Sequence, residues 1–132
     1  MADSTKTGPA IYTWINNVTD ATAVYEGIAP QGTEFPYITY DAVSPAELNL
    51  TKHRMLDELW QIKAISDVRA DAALIAHQVE VRMIQSEMAV EGWEQYWISR
   101  ETGISYPEVD DDGQVIYHVG ATYRIRLAEQ RS

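Results

Sequence analysis

Three groups in this 132-residue chain have residue types that could do chemistry: the run Asp110-Asp111-Asp112-Gly113, the histidines His53, His77 and His118, and a loop set by Gly27, Pro30, Gly32 and Pro36. The aspartate run invites a calcium reading, but a calcium loop needs alternating oxygen ligands and a glutamate several positions on. Neither follows here, and the run reads as a solvated hairpin tip. The histidines are far apart and lack the close His/Glu spacing of a metal site. His77 falls beside the apolar stripe of a helix, where a structural role is expected. Gly27 and Gly32 are separated by IAPQ and followed by Thr33, without the lysine of a phosphate loop, and no Gly-x-Ser-x-Gly elbow occurs. Carboxylate pairs such as Glu80 and Glu87 are loose, whereas a hydrolase holds two at a defined distance. Catalytic residues, metal ligands and cofactors are therefore not expected.

Composition narrows the classes further. The length fits one domain, expected over residues 9–128 between flexible ends at 1–8 and 129–132. The chain has no cysteine, which excludes disulfides, thiolate metal sites and cysteine nucleophiles. No leader and no run of roughly 18 apolar residues is visible, so a protein made in the cytosol and kept off the membrane is expected. The formal net charge of −10 would repel a phosphate backbone. It suits a subunit lining a passage through which DNA slides, and equally any soluble acidic protein. Asn17-Val18-Thr19 and Asn49-Leu50-Thr51 match a glycosylation sequon by chance.

Periodicity supplies the elements. Pro9 and the spacing of Ile11, Trp14, Ile15 and Val18 predict a helix from Pro9 to Val18. Val24 and Tyr25 start a brief strand that Gly27 ends. Tyr37 to Val43 alternates as a strand, with Ile38, Tyr40 and Ala42 on one side, and Ser44-Pro45 stops it. Ala46 to Leu56 reads as either a turn of helix or the start of the next strand. Leu59 to Ile65 alternates again. Ser66 or Asp67 caps an amphipathic helix, Val68 to Gln85, whose stripe is Val68, Ala72, Ile75, Ala76, Val79 and Met83. After Gly92, Trp93 to Tyr106 is a strand, the aspartate run is the turn, and Val115 to Leu127 alternates with one buried face. The fold class is α+β: a mostly antiparallel sheet of four to five strands, two helices packed on one face, and a long C-terminal β-hairpin. A strand of a dozen residues spans about 40 Å, so the hairpin is expected to reach beyond the body.

Aromatic residues and arginines are common interface anchors. Trp93 and Trp97 alternate onto one face at the hairpin base, as core or as contact surface. Arg124 and Arg126 project opposite the apolar row, and with Arg100 they form either a basic stripe or part of a solvated sheet face.

With these elements in place, the chain resembles the tail completion or tail terminator proteins of long-tailed (siphovirus-like) bacteriophages and prophages. The resemblance rests on Val24, Tyr25, Ala29, Pro30, Gln31, Gly32, Pro36 and Tyr37 in VYEGIAPQGTEFPYITY and on the final HVGATYRIRLA, and it covers roughly residues 9 to 128. It implies a virion protein that is no enzyme and carries no cofactor: a homo-oligomeric ring, usually a hexamer, capping the head-proximal end of the tail tube. Its implied partners are the tail tube protein and the head connector or neck protein, with DNA only as passing cargo. Within this reading Gly27, Pro30, Gly32 and Pro36 shape the loop. The expected assembly interface comprises Trp93, Trp97, Arg100, Tyr106, Asp110, Asp111, Asp112, Arg124 and Arg126. The rival readings are a head-closure or neck component and a non-phage dimeric binding module, with an enzyme third.

Overall fold

The computed structural model describes residues 5–17, 19–44, 47–50, 53–85 and 87–130. Helix α1 (Thr7–Ile15) begins two residues before Pro9. Proline fits there because the first turn of a helix has no use for its N–H groups. The helix ends earlier than its apolar spacing suggests, since Asn16 is extended and Asn17 takes a left-handed φ of 66°. Val18 lies outside the described residues. No side chain caps the start of α1 and no acidic residue lies in its first turn. Carboxylates from elsewhere lie there instead: an oxygen of Glu26 is 2.9 Å from where a Cβ on Gly8 would stand, and Glu58 is buried beside Thr7. Both suit the positive end of a helix.

Six strands form the sheet: β1 (Val24–Glu26), β2 (Tyr37–Ser44), β3 (Glu47–Leu50), β4 (His53–Ser66), β5 (Trp93–Val109) and β6 (Val115–Glu129). Their order is β1-β2-β4-β6-β5, with β3 also on β4. The β1 strand runs parallel to β2, and the other pairings are antiparallel. Within the ambiguous stretch from Ala46 to Leu56 the described residues are strand: β3 continues along β4 where β2 leaves off, pairing Glu47 with Leu56 after Ser44 pairs with Leu59. Pro45, Ala46, Thr51 and Lys52 lie outside the described residues.

Helix α2 (Arg69–Gln85) lies across β6, β4 and β5. The Ser66 hydroxyl accepts the Val68 N–H at 3.1 Å and leads the chain into it. Ala72, Ile75, Val79 and Met83 are buried as their spacing predicts, while Val68 is exposed. Trp14 and Arg82 clasp the two helices together. The Trp14 indole donates to the Arg82 carbonyl at 3.0 Å, Arg82 Nε donates back to the Trp14 carbonyl at 2.9 Å, and the guanidinium lies 3.6 Å over the indole. Beneath them the core collects Ile38, Tyr40, Leu56, Trp60, Ile62, Trp93, Ile98, Tyr123, Ile125 and Leu127.

Two irregularities in β5 change which face its residues occupy. Gln95 pairs with Leu127 but Trp97 with Arg126, and Arg100 pairs with Tyr123 but Thr102 with Thr122. Tyr96 and Glu101 are therefore extra residues, and each reverses the alternation. Trp93 faces the core at 2% exposure while Trp97 is on the opposite face at 44%, so the two tryptophans do not share a face. Arg100 turns to the helix side and pairs with Glu80 of α2 at 3.0 Å, so it does not join Arg124 and Arg126 in one stripe.

Beyond Gly103 and Gly120, β5 and β6 continue as an arm. At Gly120 a Cβ would clash with the carbonyl oxygen of Ile62 and stand 2.7 Å from Cα of Lys63, so only glycine admits so close an approach of β6 to β4. Ala121, Tyr123, Ile125 and Leu127 are buried, but the apolar row they continue is only half-buried at Val119 and Tyr117, and Val115 is exposed.

Candidate assembly surface

The loop between β1 and β2 is held at both ends. Gly27 takes φ 82°, and its N–H donates to the Tyr40 carbonyl at 2.8 Å, closing β1. Pro30 to Thr33 is a tight turn with Gly32 at φ 85°, in which the Thr33 N–H reaches the Pro30 carbonyl at 3.2 Å. Thr22 then binds the far side: its hydroxyl donates to the Glu34 carbonyl and its N–H to the Pro36 carbonyl, both at 2.8 Å. Pro36 follows a cis peptide bond, and Phe35 stacks on Tyr37 with ring centroids 5.7 Å apart.

This loop faces the hairpin tip. Between them lies a cleft of about 470 Å³ with Pro30, Gly32, Phe35 and Tyr37 on one side and Asp110, Asp111, Asp112 and Ile116 on the other. Asp110 is occupied in building the tip, because its Oδ1 accepts the N–H groups of Asp112 at 2.9 Å and Gln114 at 2.8 Å. Asp111 and Asp112 are exposed. Among the described residues no group of three or more His, Asp or Glu is placed to hold a metal ion.

At the base of the arm, on the face away from the helices, Tyr106 stacks on His118 with centroids 4.6 Å apart and planes 9° from parallel. Lys63 of β4 donates to the Tyr106 hydroxyl at 3.0 Å, and His118 Nε2 lies 3.4 Å from Glu108. Burial, assisted by Lys63, holds the His118 pKa below its ordinary value against the opposing pull of Glu108. Four side chains from three strands thus pin the arm to the sheet.

Lower on the same face, Arg124 and Arg126 meet carboxylates of their own chain. Arg124 donates to Asp57 at 2.8 Å and to Glu101 at 2.6 Å, contacts that raise its pKa further. Arg126 Nε is 3.5 Å from the other Asp57 oxygen, and its guanidinium lies 4.9 Å from the Trp97 ring centre. Asp57, Glu101, Lys63 and Thr22 escaped sequence reading. Asp57 falls between the ambiguous stretch that ends at Leu56 and the strand read from Leu59, and Glu101 reaches Arg124 only because it is the extra residue of a bulge. Lys63 was legible as an outward strand residue, and nothing marked Thr22.

The family described as Tail completion protein gp17 matches residues 9–128. The chain belongs to this tail completion family. A chain from a solved structure, described as the virion of a native gene transfer agent (GTA) particle, shares the fold with a TM-score of 0.64 at 11% identity, over 95% of this chain and 89% of that one. No individually curated protein matches the sequence. Tail completion proteins are structural proteins of the virion, and this chain is one by family.

Proposed function

We propose that this tail completion protein acts as a ring, a hexamer, at the head-proximal end of the tail tube, where it stops tube polymerisation and presents the surface on which the head connector docks. The family match over residues 9–128 carries this reading. The fold supplies suitable parts. A ring built head to tail needs two different surfaces on each subunit, and this chain offers a projecting arm and a helix layer. The net charge of −10 suits a lumen through which DNA passes without sticking. The arm from Tyr106 to Val115, facing the pinned loop across the cleft, is the contact to the tube or the adjacent subunit.

Electron microscopy of lysates from a phage or prophage lacking the gene tests this role. Overlong, headless tubes are expected. Tails of normal length beside filled heads would assign a joining role at the neck instead, and intact virions would refute both. Complementation with a chain shortened at Asp111 and Asp112 is expected to restore folded protein but not normal tails.

A further inference from the structure

Two apolar surfaces of this chain lack the partner that their patterning demands. The first is on the arm. Val115, Tyr117 and Val119 continue the row that is buried from Ala121 onward, yet among the described residues no element covers its end: Val115 is 40% exposed and its cross-strand partner Val109 65%. The second is on α2. Leu74, Val81 and Ile84 are exposed. At 3.6 residues per turn they fall within a sector of about 80°, opposite the buried Ala72, Ile75, Val79 and Met83. A helix apolar on two opposite faces is patterned to be covered on both.

We infer that the arm of one copy lies, by its Val109 and Val115 face, on the outer face of α2 of the next copy. The inference rests on the ring reading above and gives it a contact. Three observations select a second copy as the occupant. The first is that each surface lacks what the other offers: the arm is a sheet face without its helix, and α2 is a helix with only one of its two sheets. Their dimensions also agree, since the arm from Gly103 to Val109 is about 23 Å long and α2 about 25 Å. A chain of net charge −10 moreover associates with itself best through faces without carboxylates, and neither Val109 and Val115 nor the α2 sector of Ala70, Leu74, His77, Val81 and Ile84 holds one. The contact is made by faces rather than edges, because Pro107 and the two bulges blunt β5 against strand addition.

The area bears on the assembly. Two strands about 10 Å wide over that length cover a footprint of about 230 Å², so one such contact buries far less than the roughly 1,200 Å² of a stable pair. A single pair is therefore short-lived, formed more often than chance collision at several hundred micromolar and lasting when the ring closes.

The absence of cysteine makes a cross-linking test clean. Two single variants, Leu74→Cys and Val115→Cys, are purified, checked for native circular dichroism, mixed at several hundred micromolar and oxidised. Leu74→Cys with Ile28→Cys, a fully solvated loop position, measures chance collision. Disulfide formation between Leu74→Cys and Val115→Cys at least tenfold faster than in the control pair is expected, and equal rates overturn the contact. Overlong tubes in the deletion lysate together with equal rates would leave the ring and remove this contact. Fast cross-linking together with normal tails would leave the contact as self-association and remove the ring.

Discussion

Replacing Gly120 by alanine should be among the most damaging single-methyl changes in the protein. The added Cβ would clash with the Ile62 carbonyl oxygen and stand 2.7 Å from Cα of Lys63, both backbone atoms that no rotamer change can move. The strands must separate at the Lys63 and Gly120 pair. Overpacking of this kind costs about 1–3 kcal/mol, and two weakened ladder bonds add about 1 kcal/mol each. Reduced freedom of the unfolded chain returns about 0.5–1 kcal/mol. The net loss is about 3 kcal/mol, which for a chain of this length lowers Tm by roughly 10 °C. Gly113→Ala is the control. Gly113 has φ 82° with nothing within 4 Å of a Cβ, so its cost is that of a left-handed alanine, about 1–2 kcal/mol. Thermal unfolding followed by circular dichroism separates the two. A Gly120→Ala chain that melts within 3 °C of the parent, or above Gly113→Ala, would refute the close approach of β6 to β4.

The reversal of faces in β5 predicts unlike tryptophans. Trp93→Ala empties a buried site and should cost about 3–5 kcal/mol. Trp97→Ala loses a solvated stack on Arg126 and should cost about 0.5–1 kcal/mol, and urea titration giving similar losses would place both on one face after all. Glu58 predicts a pH dependence. Burial raises its pKa above the ordinary 4.5, against the lowering influence of Thr7 and the Trp60 indole, which donates to it at 3.2 Å. The folded state therefore binds this proton more tightly than the unfolded state. Stability from this group is fully present below pH 4.5 and is lost as pH rises through the raised value. Glu58→Gln keeps an acceptor for the indole without the charge, so it should be more stable than the parent at pH 7 by a margin that shrinks toward pH 4. A margin independent of pH would show that Glu58 titrates normally.

Most elements of the fold were legible because their patterning is local. The stripe of α2, the alternation of β2 and β6, and the turn at Asp110 to Gly113 each follow from a few neighbouring residues. The bounds of α1 were not, because the carboxylates at its start come from β1 and β4. Nor was β3 separable from helix, since its assignment depends on pairing with the first half of β4. The loop before β2 announced its turns through Gly27 and Gly32, but not the grip of Thr22, which is visible only once β1 and β2 lie side by side. As for the candidate surface, residue types were informative and their grouping was not. Arginines and carboxylates could be named, whereas their pairing depends on strand register.

The two bulges show why that grouping eludes periodicity. Counting from Trp93, alternation puts Trp97 in the core and Arg100 outside, and the structure does the reverse for both. Tyr96 shifts the phase and Glu101 shifts it back, so only the five residues from Trp97 to Glu101 are out of step with the rest of β5. That short span places Trp97 beside Arg126 and Glu101 beside Arg124 on the outer face, and sends Arg100 through to Glu80 on the helix side. Because the phase is restored by Gly103, Val109 still falls on the same face as Val115, and the arm keeps one apolar side. A single bulge would have turned Val109 outward, away from Val115 and the layer of helices. The pair of bulges therefore lets one strand close its own core, gather a charged cluster on the opposite face, and still carry an uncovered apolar face out to the tip of the arm.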